Sequence, residues 1–585
     1  MEKGKEFDLV VLGKVLRLAR PYKGLFFTCL CIAIVMAPIS MVRPYLISKM
    51  VDDHIFNNDL SGLQNMVWQY LAVVIITVIL RYVFIYYSAV LGQSVIKDLR
   101  VKVFKHVSNL KLRYFDQTPI GKITTRTISD VQAINEVFTQ GVLTMAADIM
   151  GIFAIIGFML FISWKLTLIC LITVPLLVGA TYIFKEKVKV AFKKVRNEIT
   201  NLNTFLNEQI SGMQIVQMFS AEKKEAEKFK SINRKYTGAN LDAVEYYAIF
   251  FPVVELISSM ALALLVWWGS KGIWENSVSV GAFVSFPLYL NMLFRPIRML
   301  ADKLNTLQMG LVAGSRVFDV LDNDNQIEDL GTHSADSIKG KINFDGVSFA
   351  YDEENFVLKN ISFDLNPGET MAIVGSTGSG KTTIINILNR FYEIQKGQIK
   401  IDDLDIKKYK LDNLRKHLSM VLQDVFLFDG TVYDNIVLRD EELTREKVIE
   451  ASKTIGAHPF IERLPGGYDF KVTERGSNLS MGQKQLISFV RALVFDPDIL
   501  ILDEATSSID SETEAIIQFA IEKLIQKRTS IIIAHRLSTI KHADNILVLK
   551  NGKIVEQGDH NTLMTKPDGA YQQLYEKQFE QGLSV

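Results

Sequence analysis

At 585 residues the chain is well beyond a minimal module, and at about 150 residues per domain it has room for roughly four. Lysine and arginine number 65 against 64 aspartate and glutamate, a formal net charge of +1, so no global field selects nucleic acid or an acidic partner. The three cysteines, Cys29, Cys31 and Cys170, all lie in apolar runs, which excludes a secreted disulfide framework and a cysteine-rich zinc site. They read as small buried hydrophobes.

Six runs in the first 300 residues approach the roughly 20 apolar residues that cross about 30 Å of hydrocarbon as a helix. They fall near 25–47, 67–91, 141–162, 165–184, 248–269 and 280–299. The first follows a basic, partly amphipathic stretch and is too long for a signal-peptide core, so it reads as a retained span. Residues 92–140 carry eight Lys/Arg and residues 185–247 carry twelve, whereas the alternate connections hold only Lys49 and Lys271. Positive charge concentrates on the cytoplasmic side, so both termini are expected there, in a multi-pass protein of the cytoplasmic (inner) membrane. That bias accounts for the lysines without a nucleic-acid partner.

The two basic segments are too long for loops and poor in Gly and Pro, which predicts membrane helices that continue into the cytosol, turn once and return. Pro119 and Gly121 place the first turn near 114–121, and the second falls around Gly212 to Glu222. Arg43, Arg81, Asp148, Glu255, Arg295 and Arg298 sit within or at the edges of the spans, where charge faces a bundle interior or a wet cavity. Snorkelling to the headgroups is the expectation for Arg43, Asp148, Arg295 and Arg298. Arg81 and Glu255 are the deeper pair, read either as a structural ion pair or as a substrate contact.

Composition divides the chain into a membrane domain (1–320), a polar linker (321–341) and a soluble domain (342–585). In the last, short apolar strands at 371–374, 420–422, 499–502 and 530–533 alternate with helix-like segments, the pattern of an α/β domain with a mostly parallel sheet. At the end of the first strand, Gly375, Ser376, Thr377, Gly378, Ser379, Gly380, Lys381, Thr382 and Thr383 fit the phosphate-loop pattern G-x-x-x-x-G-K-[ST]. Glycines let backbone N–H groups surround phosphate oxygens, and a helix starting near Lys381 directs its positive end at them. Lys381 would neutralise the β- and γ-phosphates, and Thr382 would ligand Mg²⁺. Strand 499–502 delivers Asp503 and Glu504 at its carboxyl end, where open α/β sheets bind ligands. Asp503 suits the Mg²⁺ shell, and Glu504 can accept a proton from an attacking water.

Leu479-Ser480-Met481-Gly482-Gln483, shortly before Asp503-Glu504, is similar to the LSGGQ signature of the ATP-binding cassette exporters. The chain resembles a half-transporter of that family, the class of multidrug and lipid flippases: an all-α six-helix transmembrane domain followed by an α/β nucleotide-binding domain. The resemblance implies that Ser480, Gly482 and Gln483 meet the γ-phosphate of ATP held by a second half-transporter. It further implies Tyr351 against adenine, Gln423 toward Mg²⁺ and the lytic water, Asp510 crossing to the partner, and His535 as the switch histidine that positions Glu504. Segments 428–436 and 473–476 resemble exporter-type stretches, and the turn at 115–121 resembles the first coupling helix.

Met481 departs from the pattern by replacing the first signature glycine, which raises the hypothesis of a branch with two unequal ATP sites. A homodimer and a heterodimer both stay open. The implied activity is ATP-driven efflux of a drug, lipid or hydrophobic peptide. An ATP-gated channel or regulator and an ATP-driven importer are the alternatives.

Overall fold

The computed structural model describes residues 9–352, 355–503, 511–533 and 540–582. The chain divides into two compact units, Met1–Asn109 with Thr118–Asp324, and Leu110–Gln117 with Asn325–Val585.

The first unit is helical. Among the described residues six helices are long and apolar enough to cross a membrane: Arg20–Ile55, Leu60–Ser108, Ile120–Ile162, Trp164–Ser211, Glu222–Trp274 and Val280–Leu321. Each contains one of the expected apolar runs. The 49 residues of Leu60–Ser108 reach about 74 Å at 1.5 Å per residue, far beyond a hydrocarbon core, so the helices do continue past their apolar windows. Side-chain caps start several of them. Asp59 accepts the Gly62 N–H at 2.9 Å, and Ser279 accepts the Ala282 N–H at 3.1 Å. The expected turns are present: Leu60–Ser108 stops at Asn109, with the short helix Leu112–Gln117 and Pro119 ahead of Ile120, and Met213–Met218 separates Ser211 from Glu222.

Phe286, Tyr289 and Phe294 are fully buried between these helices. The Tyr289 hydroxyl donates to the Met41 carbonyl at 2.8 Å, which satisfies a phenol that has no water available at that depth. Trp267, Phe153 and Phe161 point outward, as a surface solvated by lipid requires. Cys31 belongs to this outer surface and not to the interior, which corrects the reading of all three thiols as buried. The snorkelling expectation also needs correction. Asp148 forms an ion pair with Lys303 of helix Val280–Leu321, and Arg298 donates to the Ser258 hydroxyl at 3.1 Å, because both face other helices. No ion pair between Arg81 and Glu255 occurs among the described residues. Glu255 is exposed on its helix.

The second unit is built on β1 (Ile342–Phe349), β2 (Leu358–Leu365), β3 (Thr370–Gly375), β4 (Lys396–Ile401), β5 (Leu404–Asp405), β6 (Leu418–Val421), β7 (Gly430–Thr431), β8 (Lys471–Val472), β9 (Ile499–Asp503), β10 (Thr529–Ile533), β11 (Asn545–Lys550) and β12 (Lys553–Gly558). Strands β2-β1-β4-β5 form an antiparallel sheet, and β12-β11-β3-β10-β9-β6 form a second sheet that is parallel except at β12. The parallel strands are buried on both faces, so they read as unbroken apolar runs. Met371, Ile373, Ile499 and Ile501 pack with the antiparallel sheet and the helix Lys381–Leu388, while Ala372, Val374, Leu500 and Leu502 face the other core. The period of two divides one strand between two cores. Strand β6 ends one residue before the expected limit, leaving Leu422 half-exposed where the sheet stops.

Candidate nucleotide site

Strands β3, β10 and β9 lie side by side in parallel with Ile373, Ile533 and Asp503 in register, so their carboxyl ends open on one edge. The loop after β3 needs glycine for specific reasons. A Cβ at Gly375 would run into the Leu549 carbonyl, and Gly378 and Gly380 take φ of 79° and 103°. The turn delivers the chain into the helix Lys381–Leu388, anchored by the buried Thr383, Ile384 and Ile385. The N–H groups at that end have no partner within the helix, which makes the loop a receptor for anionic oxygen. Ser379 is 2% exposed, and its hydroxyl has no hydrogen-bond partner among the described residues.

Lys381 is 8% exposed, and its ammonium donates to the carbonyls of Gly375 at 2.9 Å and Ser376 at 3.2 Å. Burial lowers its pKa, and the Asp503 carboxylate opposes that shift. Asp503, 7% exposed, is pushed the other way: burial raises it, while Lys381 and a hydrogen bond from Thr382 hold it down and Asp424 raises it further. Lys381, Thr382 and Asp503 therefore meet at the ends of β3 and β9, as their motifs require. A hydroxyl and a carboxylate are hard oxygen donors of the kind Mg²⁺ takes alongside phosphate oxygens and water. Among the described residues no cluster of three or more acidic, His or Cys side chains could hold a metal by itself, so the phosphates would have to complete the shell.

Val421 of β6 pairs with Leu502 of β9, so Gln423 leaves the sheet beside the strand end that carries Asp503, with its side chain exposed. Tyr351 directs its hydroxyl to Thr383 at 3.2 Å and rests edge-on against Phe349 and Tyr392, with 37% of its surface open. The signature lies at the start of helix Met481–Val494. The Ser480 hydroxyl accepts the Gln483 N–H at 3.2 Å, and the Gln483 amide oxygen accepts the Ser480 N–H at 3.0 Å, a reciprocal cap that already occupies the Gln483 side chain. Gly482 is buried, and Met481 is 45% exposed at the first helical position, so the departure from the family pattern leaves the cap intact. Among the described residues, the Ser480 and Gln483 side chains each accept the other's backbone N–H and make no bond to the phosphate loop. The expected positions of Glu504, Asp510 and His535 lie outside the described residues.

Two features escaped the sequence reading. Asp424 acts on Asp503 electrostatically, and its position directly after Gln423 was the available signal. Tyr392 donates its hydroxyl to Asp116 of the short helix Leu112–Gln117 while its ring touches Tyr351. Burial and that bond push the phenol pKa up. Nothing local marks this link, because the two residues lie 276 positions apart.

The profile of the ABC transporter transmembrane region matches residues 26–297, and that of the ABC transporter matches residues 358–507. An uncharacterized ABC transporter ATP-binding protein, YknV of Bacillus subtilis, is 37% identical over 579 residues, covering 98% of this chain and 96% of the relative. A probable multidrug resistance ABC transporter ATP-binding/permease protein, YheH of the same organism, is 37% identical over 93% of this chain and 81% of its own length. An ATP-dependent lipid A-core flippase of Desulfotalea psychrophila is 36% identical over 95% of this chain and 97% of its own.

Proposed function

The chain belongs to the ABC transporter family as an exporter half-transporter, a multi-pass membrane ATPase whose architecture implies a dimer, and we propose that two such subunits expel an amphipathic or hydrophobic compound by alternating access. Residues 1–320 form the membrane domain, 321–341 the linker and 342–585 the cassette, with both termini cytoplasmic. Relatives named for multidrug resistance and for lipid A-core flipping support a drug or an amphipathic lipid as cargo.

The convergence of Lys381, Thr382 and Asp503 at one sheet edge carries the reading. ATP binds with its phosphates in the loop 375–383, where the backbone N–H groups and Lys381 take the negative charge. Thr382, Asp503 and Gln423 would hold Mg²⁺, which supplies charge neutralisation across the β- and γ-phosphates. Tyr351 offers its open face to adenine. Glu504 accepts the proton of the attacking water, and Gln423 and His535 orient that water. Because the Ser480 side chain bonds within its own helix cap and not to the loop of its own chain, the signature helix is available to the nucleotide of a partner, and Asp510 crosses with it. ATP then favours the closed cassette pair only through its higher affinity for that state.

ATP-dependent accumulation of a fluorescent amphiphile in inside-out vesicles tests the export direction. Accumulation against a gradient that Glu504→Gln abolishes while ATP still binds is the expected result. Movement only down the gradient would instead establish an ATP-gated channel. An ATP analogue carrying a photoreactive group on its γ-phosphate should label the Ser480 segment of the full-length protein, and failure to do so removes the shared-nucleotide mechanism.

A further inference from the structure

Helix Met481–Val494 begins at the Ser480 cap and carries Arg491 in its last turn. The Arg491 Nε donates to the Asn435 carbonyl at 2.8 Å, and its two terminal nitrogens make longer bonds to the Phe426 carbonyl, at 3.4 and 3.5 Å. Asn435, 1% exposed, holds the residues that follow: its amide oxygen accepts the Phe428 N–H at 2.8 Å, and its amide nitrogen donates to the carbonyls of Phe428 at 2.9 Å and Thr431 at 3.1 Å. Leu427, between the two fastened carbonyls, is fully buried. Among the described residues Arg491 forms no ion pair, and burial lowers its pKa with no carboxylate to oppose the shift.

A desolvated guanidinium balanced only by carbonyl dipoles is costly. The helix is already held in the cassette core by Leu486, Phe489 and Val490, so the charge serves something other than packing. Gln423 is strung between two anchors. On one side Val421 pairs with Leu502 of β9, the strand that ends in Asp503; on the other, Phe426 is tied by Arg491 to the helix that begins at Ser480. Residues 422–426 belong to no helix or strand, so a rotation of that helix against the sheet is passed to the glutamine through a short tether. We propose that Arg491 is a positioning residue for ATP hydrolysis: its fork of donors fastens the segment after Gln423 to the signature helix, so that the glutamine reaches the metal and the attacking water only when Ser480 meets the nucleotide of the partner. The proposal deepens the hydrolytic site described above and rests on the place of Gln423 in it. A fork serves two carbonyls on separate segments, which the single ammonium of a lysine does less well.

The test uses the full-length protein in nanodiscs and reads MgATP hydrolysis, equilibrium MgATP binding and the nucleotide-free thermal midpoint. Arg491→Met should lower kcat about tenfold, the size of a coupling between neighbouring groups, and leave the MgATP Kd within about twofold because the loop 375–383 is untouched. Arg491→Lys should recover part of the lost kcat. The sharpest comparison is the double variant Gln423→Ala with Arg491→Met, whose kcat should match that of Gln423→Ala alone within about twofold, since an arginine that acts through the glutamine then has nothing left to position. An arginine that only supports the fold would instead multiply the two losses. If Arg491→Met lowers the midpoint too far to assay, the same cycle is run with Arg491→Lys. A parental kcat in the arginine variant, a Kd weakened as much as kcat, or multiplied losses in the double variant would each overturn the proposal. A parental kcat in Gln423→Ala would sink the reading of Gln423 and this proposal with it, whereas multiplied losses beside an impaired Gln423→Ala would sink the positioning role alone.

Discussion

Replacing Lys381 with methionine separates a phosphate-binding role from a structural one. The side chain is nearly buried, and its ammonium is bonded to two loop carbonyls beside the carboxylate of Asp503. Burial lowers its pKa, so the charged form carries a desolvation cost that methionine, of similar length, does not. The substitution is therefore expected to leave the thermal midpoint of the nucleotide-free protein within a few degrees, on the order of 1 kcal/mol either way. Nucleotide affinity should respond differently. Hydrogen bonds to charged groups contribute about 1.5–3 kcal/mol each, so losing the contacts to two phosphates costs about 3–6 kcal/mol, or roughly 100- to 10,000-fold in Kd. Titration of MgATP into the full-length protein in nanodiscs reads the affinity, and thermal unfolding without nucleotide reads the stability. A Kd within threefold of the parent would refute the phosphate assignment. An intact Kd with a collapse of the midpoint would show that the lysine serves only the loop.

Asp503→Asn tests the opposing pKa shift. A carboxyl raised by burial binds more protons folded than unfolded between its ordinary value of 3.8 and its raised folded value, so it loses stability as pH rises through that window. Asn should accordingly raise the nucleotide-free midpoint at pH 7.5, with the gain vanishing below the ordinary carboxylate value, and should abolish the added stabilisation by MgATP; a lower midpoint at pH 7.5 contradicts the sign. Tyr392→Phe removes the bond to Asp116 but keeps the ring against Tyr351. Basal ATPase should stay within about twofold, since exposed bonds contribute little, while stimulation by transported amphiphile falls; unchanged stimulation excludes a coupling role. Ser480→Ala deletes one arm of the cap on helix Met481–Val494, at about 1 kcal/mol of stability. Thermal unfolding should show that loss and its recovery by Ser480→Thr, and an unaffected midpoint would mean the cap is not formed.

Covalently local features were legible in the chain. Apolar runs long enough to span a bilayer leave few alternatives to a helix, since no other element satisfies its own backbone in hydrocarbon, and all six lie inside the observed long helices. Glycines spaced through 375–380 specify a backbone that only they adopt, and an apolar strand ending in Asp503 specifies which end of a parallel sheet carries charge. Hydropathy along a helix does not, however, record its rotation or its neighbours. Arg43, Arg81 and Arg295 stand out in the sequence as charges that face an interior, but that they share one cavity with Lys303 is not written there, and Asp148 reads as a snorkelling end group until its helix is seen against Val280–Leu321. The bond from Tyr392 to Asp116 and the pressure of Asp424 on Asp503 likewise arise from packing across distant segments. The motifs dictate which chemistry is available, and the tertiary structure decides which charges are compensated, because compensation depends on distance in space and not along the chain.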